Sequence, residues 1–367
     1  MALSRKKSGV YLRFRLLVVA IIVVCGIPFI TQYRQPESEE AEKRNINGSN
    51  DTSSTTTASM DLTPGKESSL SPITQKGFER VTLETFSKRA IPKEALTIVT
   101  AYFDIGSFKK GPDMTFSPDT YLNWVKTFKY LNNSLVVYTD SATFRDNFIQ
   151  LRKGMELKTK IVLVNRTHFW TFRIEDKIKK IFSMKGYPKH YPNTVLSEYS
   201  CAQHTKYAVV ADAIRNKYFN SQYYAWLDIG YYRDLMDSER YFTLYALDDI
   251  DESKLSVNLV YPKVSLRTDY KTIVYNNIVW VGGGMFIGTA DVIKAFEKQY
   301  KQAVMFLLEK QLISTDQQVI MSMYSQQGRR DLNVTVPLQL HSRTKDDVKL
   351  KNANPWFYLG YKSLIFT

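Results

Sequence analysis

Apolar and polar positions divide the chain into three stretches of different texture. The first is an unbroken apolar run over residues 16–30, extended by Thr31, Gln32 and Tyr33 and preceded by Arg5, Lys6, Lys7, Arg13 and Arg15. A helix of about 18 residues at 1.5 Å each spans about 27 Å, close to the hydrocarbon thickness of a thin bilayer. Tyr11 and Tyr33 flank the run where interfacial aromatics are favoured, and the five cations hold the N-terminus in the cytosol. The pattern predicts a cytoplasmic tail over 1–15 and a transmembrane signal-anchor over 16–33, with everything beyond it lumenal. A cleaved signal peptide has a similar apolar region. Here, however, no small-x-small cleavage site stands out, and Cys25-Gly26-Ile27-Pro28 is followed by more apolar residues.

The second stretch is polar. Residues 34–76 are rich in Ser, Thr, Glu and Asn, and 53–59 are almost wholly Ser and Thr. Such a segment buries too little apolar area to offset its ordering entropy, which predicts an extended stem over 34–95.

The third stretch alternates strands and helices and predicts one domain over 96–367. Leu96-Thr97-Ile98-Val99-Thr100-Ala101-Tyr102-Phe103 reads as a buried strand, and Ser117-Pro118-Asp119 opens a helix with a capping Ser, a Pro and an acid in its first turn. Leu135-Val136-Val137-Tyr138 and Ile161-Val162-Leu163-Val164 are further strands. A long helix over 197–218 then leads to a strand at Tyr223-Tyr224-Ala225-Trp226-Leu227. Strands apolar on both faces and separated by helices imply an α/β fold with a parallel sheet covered on both sides.

Composition narrows the function classes. Of 367 residues, 50 are Lys or Arg and 36 are Asp or Glu, a net charge of +14. The basic residues are dispersed, with no zinc, helix-turn-helix or RNP pattern, which argues against nucleic acid and for phosphate-bearing or acidic-glycan ligands. There are two cysteines. Cys25 lies in the anchor, so no intradomain disulfide forms and Cys201 reads as a buried thiol. Sequons at Asn47, Asn50, Asn132, Asn165 and Asn333 suit N-glycosylation in a lumen. Anchor, stem and globular domain in that order is the layout of resident Golgi enzymes, which sets the expected location in the secretory pathway.

No Gly-x-Ser-x-Gly elbow, His-Glu-x-x-His, cysteine-rich metal set or kinase signature occurs. Catalysis would therefore rest on carboxylates, with or without a metal. Ligands of open α/β sheets bind beyond the carboxyl ends of the strands, where Asp104, Asp140 and Asp228 fall. Asp228 directly follows an apolar run and precedes Gly230 by two; it is either a rim carboxylate of a site or a cap for the following turn. The cluster Gly282-Gly283-Gly284 marks either backbone approach to a ligand or a tight bend. In Ser314-Thr315-Asp316-Gln317-Gln318, Ser314 or Thr315 caps a helix and the dipole favours Asp316. His341 follows a strand-like run over 334–340.

In their order and spacing, Thr97 to Asp104, Ala202-Gln203-His204-Thr205-Lys206, Trp226-Leu227-Asp228-Ile229-Gly230 and Gly283-Gly284-Met285-Phe286-Ile287-Gly288 resemble the HtrL/YibB-like (WlaTC) family, of GT-A glycosyltransferase type. The likeness covers about 96–345. It implies a GT-A-like sheet and transfer of a sugar from a nucleotide-sugar donor to a glycan. The donor side would be Thr100, Tyr102, Asp104, Asp140, Lys206, Asp228 and Gly230, and the acceptor side Trp280, Gly283 and Gly284. Asp228 would match the first acid of an Asp-x-Asp motif, with Gly230 in place of the second. Asp316 would be a downstream catalytic or acceptor residue, the base that takes the hydroxyl proton if the reaction inverts; a retaining reaction would need no such base. Mn²⁺ or Mg²⁺ held by Asp228 and His341 would act as Lewis acid on the departing diphosphate, with Lys206 sharing the charge. A literal Asp249-Ile250-Asp251 lies in a polar run and reads as an exposed acidic turn. The rival expectation is a GT-A-like domain that binds nucleotide or glycan without turnover. A third is a stalked adhesion protein.

Overall fold

The computed structural model describes residues 95–111, 113–344 and 354–367. The predicted tail, anchor and nearly all of the stem, with Asn47 and Asn50, lie outside the described residues. Among the described residues no helix is long and apolar enough to cross a membrane.

The chain opens with β1 (Thr97–Tyr102), the hairpin strands β2 (Phe108–Lys109) and β3 (Thr115–Phe116), α1 (Pro118–Trp124), β4 (Leu135–Thr139), α2 (Ala142–Leu151) and β5 (Thr159–Leu163). Next come α3 (Trp170–Arg173), α4 (Glu175–Phe182), α5 (Ser197–Arg215), β6 (Tyr223–Leu227), β7 (Phe242–Leu244), β8 (Leu255–Leu259) and α6 (Tyr270–Tyr275). The last part holds β9 (Val281–Thr289), α7 (Ala290–Glu309), α8 (Asp316–Tyr324), α9 (Gln326–Leu332), β10 (Leu338–His341), α10 (Tyr358–Ser363) and β11 (Leu364–Phe366).

The main sheet has the order β10-β8-β9-β6-β1-β4-β5. Strands β5, β4, β1 and β6 are parallel, as the apolar runs predict. The sheet is nevertheless mixed, because β9 runs antiparallel to both β6 and β8. A strand buried on both faces has the same apolar pattern in either direction, so sequence periodicity carries no sign for this reversal. From β1 the chain moves outward to β4 and β5, then returns through α5 to place β6 on the other side of β1. The order reverses between β1 and β6, and ligands of such sheets bind at the carboxyl ends beside that point.

Side-chain alternation builds a core on each face. Val99, Val136, Tyr138, Tyr224 and Trp226 pack with α5, α7 and α8 in one cluster. Ile98, Leu135, Val137, Tyr223 and Leu227 pack with α2 and α10 in the other. Ser117 caps α1 in a capping box with Thr120, with Pro118 and Asp119 in the first turn. Helix α5 ends at Arg215, three residues before its expected end. Cys201 is fully buried, and that burial pushes its thiol well above the usual range.

Candidate functional site

Four elements converge at the carboxyl end of β6. Helix α5 is buried almost all round at its middle, and Lys206 stands there with its side chain only 3% exposed. A buried ammonium needs a partner for each of its three hydrogens. Lys206 Nζ donates to the Gly283 carbonyl at 2.9 Å, pairs with Asp228 Oδ1 at 3.1 Å and lies 3.4 Å from Asp316 Oδ2. It also lies over the Trp226 ring, 5.8 Å from the centroid. Burial opposes its charge, but Asp228 and Asp316 together outweigh burial and raise its pKa.

The two carboxylates differ sharply. Asp316 is the first residue of α8, where the helix dipole favours an anion, and Thr315 caps that helix in a box with Gln318. Its side chain is 1% exposed, and its carboxyl is held above the usual range by burial, with Lys206 opposing and Asp228 adding. Asp228 faces outward at 39% exposure, fixed by Trp226 Nε1–H at 2.7 Å and by its own amide on the Gly284 carbonyl at 2.9 Å.

The glycines serve this packing. A Cβ on Gly283 would stand 2.0 Å from Asp316 Oδ2, so the missing side chain makes room for a protein carboxylate. A Cβ on Gly230 would lie 2.6 Å from the Trp124 ring. An indole therefore covers position 230, where the resemblance would place a second acid.

Around Asp228 stands a rim absent from the sequence-based expectation. Arg233 donates to the Gly230 carbonyl at 2.9 Å and sits over the rings of Trp124 and Phe357. Lys110, just past β2, is half-buried and its pKa falls to about 8. Burial is the main cause, with Asp228 and Asp316 opposing and Arg233 and Lys206 adding. Burial and Asp228 push the Tyr121 hydroxyl up, and Tyr199 is shifted the same way by burial, Tyr121, Asp228 and Asp316. The signal that could have found Lys110 is its position after Asp104 and Gly106, in a segment that carries Phe108 and Phe116.

Most other expected donor residues are committed within the fold. Thr100 Oγ1 donates to the Leu227 carbonyl at 2.7 Å and ties β1 to β6. Tyr102 is buried and stacked on Phe144, with ring centroids 3.5 Å apart. Asp140 accepts from the Asp104 amide at 2.8 Å and pairs with Arg166, which also donates to the Asp104 carbonyl. Asp104 itself is exposed at the end of β1. Trp280, expected on the acceptor side, is instead a core residue at 6% exposure whose carbonyl accepts from the Val260 and Tyr261 amides. Asp249 and Asp251 sit in the expected polar turn, Asp251 paired with Lys254 at 2.7 Å. Asn165 and Asn333 are exposed and Asn132 half-buried.

His341 is not brought to Asp228. It lies on β10, with Nε2 3.2 Å from Ser256 Oγ, three strands from β6 and so roughly 14 Å across the sheet. Among the described residues no group of three or more His, Cys, Asp or Glu is placed to hold a metal. Oxygen ligands of the kind Mg²⁺ or Mn²⁺ prefers are present on Asp228, Asp316 and Gly283. The point they share is taken by the Lys206 ammonium, so as arranged they do not fit a metal between the carboxylates.

Residues 94–334 match the family model described as "Bacterial protein of unknown function (HtrL_YibB)". Protein HtrL of Escherichia coli strain K12 is 22% identical over 244 residues, covering 63% of this chain and 85% of that protein. The crystal structure of mouse xyloside xylosyltransferase 1, apo form, superposes with a TM-score of 0.34 at 10% identity. It covers 73% of this chain and 96% of that one, a likeness too distant to bear on the chemistry.

Proposed function

The chain belongs to the HtrL_YibB family, and on that footing we propose that its domain is a glycosyltransferase that binds a nucleotide-sugar donor at the β1–β6 crevice and passes the sugar to a glycan. The observation that carries the reading is Asp228. It is an outward-facing carboxylate at the reversal point of the sheet, locked by Trp226 and Lys206 and ringed by Lys110 and Arg233. Lys110 and Arg233 suit a diphosphate, which needs cations that can leave water for it. The acceptor hydroxyl attacks the anomeric carbon as the bond from that carbon to the diphosphate oxygen breaks. If configuration inverts, Asp228 is the exposed carboxylate within reach of the hydroxyl proton, while Asp316 acts by positioning Lys206. A signal-anchored, lumenal placement goes with this reading and is supported by the apolar run of residues 16–33 and its basic flank.

The test is transfer by the full chain against a panel of nucleotide sugars and glycan acceptors, with Asp228→Asn beside it. The variant keeps the side-chain shape, so transfer should fall at least about a hundredfold, as for loss of an acid–base group. Unchanged transfer removes Asp228 from the site. Donor binding without turnover in the wild type would favour the non-catalytic reading.

A pH dependence follows from Lys110. Its proton is lost near pH 8, so the affinity of a nucleoside diphosphate should weaken as pH rises from 7 to 9, and Lys110→Met should abolish that slope. The stability sign is opposite: from about pH 8 to the ordinary lysine range the unfolded chain holds a proton the folded chain has released, so stability gains with pH there. Calorimetric titration at three pH values checks the affinity. An identical slope in the variant assigns the titration to another group.

A further inference from the structure

We propose that Lys206 is the resident cation of this site: it occupies the position between two carboxylates that a divalent metal would take, so the centre works without a metal bound to Asp228 and Asp316. The geometry is that of a cation in an oxygen cage. Gly283 O at 2.9 Å, Asp228 Oδ1 at 3.1 Å and Asp316 Oδ2 at 3.4 Å surround Nζ, and the Trp226 ring lies against it. Nζ donates to the Gly283 carbonyl and to Asp228 and is ion-paired with Asp316, so Lys206 is a fixture of the protein rather than a hand held out to the donor.

Charge balance supports the same conclusion. The groups within electrostatic reach of the outer face are Asp228 and Asp316 against Lys110, Lys206 and Arg233. Three cations against two carboxylates leave one positive charge in excess, with Lys110 and Arg233 facing the place assigned to a diphosphate. A divalent ion entering the cage would have to displace a buried ammonium anchored along α5, and among the described residues no further carboxylate or imidazole is placed to complete its ligands. Gly230 completes the argument: the Trp124 ring covers the position where a second acid would supply another oxygen.

The inference deepens the reading of this site, yet its test needs no transfer. Mn²⁺ alone is titrated into the full-length wild type and into Lys206→Ala, with bound and free ion distinguished by electron paramagnetic resonance. The wild type should take up no ion that Asp228→Asn abolishes. The alanine variant, which leaves two carboxylates and a carbonyl around an empty point, should bind one Mn²⁺ at least about tenfold more tightly than the wild type. One equivalent bound by the wild type and lost in Asp228→Asn overturns the proposal, as does a folded Lys206→Ala with no gain. If Lys206→Ala does not fold, the wild-type titration against Asp228→Asn decides by itself. Failure of every donor to be transferred would count against the proposed function and leave these outcomes unaffected.

Discussion

Replacing Lys206 by Met should lower the unfolding free energy by about 3–5 kcal/mol, the usual cost of taking one partner from a buried ion pair. The size follows from what remains. Asp316 is 1% exposed, has no other cation within pairing distance among the described residues and would keep a charge in a place water does not reach. Methionine fills the volume, so the loss is electrostatic rather than a cavity. Urea unfolding of the full chain measures it, with a fall in the melting midpoint of roughly 10 °C for a domain of this size. Adding Asp316→Asn to Lys206→Met should recover part of the loss, since the orphaned charge goes with it. Because Lys206 has its pKa raised, its contribution is complete below the ordinary lysine pKa and disappears as pH climbs through the folded value. A loss under about 1 kcal/mol would mean that Asp316 is protonated or hydrated, and the caged-cation picture would fail.

Gly283→Ala should be the next most damaging single change. Its methyl would lie 2.0 Å from Asp316 Oδ2 and 3.0 Å from Cγ, so the carboxylate has to leave its place beside Lys206. Overpacking alone costs about 1–3 kcal/mol, and here it also drags a buried anion out of position. Transfer should drop at least about tenfold, because Lys206 and through it Asp228 lose their alignment. Gly282→Ala is the control: its methyl meets Val260 Cγ2 at 3.2 Å, a tight contact that a side-chain methyl can relieve by giving a few tenths of an ångström, and should cost less than about 1 kcal/mol. Equal losses at the two positions would assign the glycines to backbone conformation instead.

What the sequence reveals and conceals follows one physical line. Apolar runs at 96–103, 135–138 and 223–227 are buried on both faces, and such strands are readable without knowing their neighbours. Asp228 is readable for the same reason, since an acid ending such a strand must emerge at the sheet's rim. The direction of β9 is not readable, nor is the core burial of Trp280, because both depend on which strand lies alongside. Asp316 reads as a helix-start acid, which it is, but its burial against Gly283 joins segments 33 residues apart, and no periodicity records that. Lys110 and Arg233 are not readable because their role comes from a small hairpin, one indole and one phenyl ring, brought together only in the folded chain.

The indole over Gly230 also bears on how this site could change over generations. A mutation giving Gly230→Asp meets the Trp124 ring at 2.6 Å, and even a tolerated acid would face a cage still filled by Lys206. Conversely, losing Lys206 first strands Asp316. Each single step from this arrangement toward a two-acid metal centre passes through a less stable protein, so the two chemistries are separated by a fitness valley that needs Trp124, Gly230 and Lys206 to change nearly together.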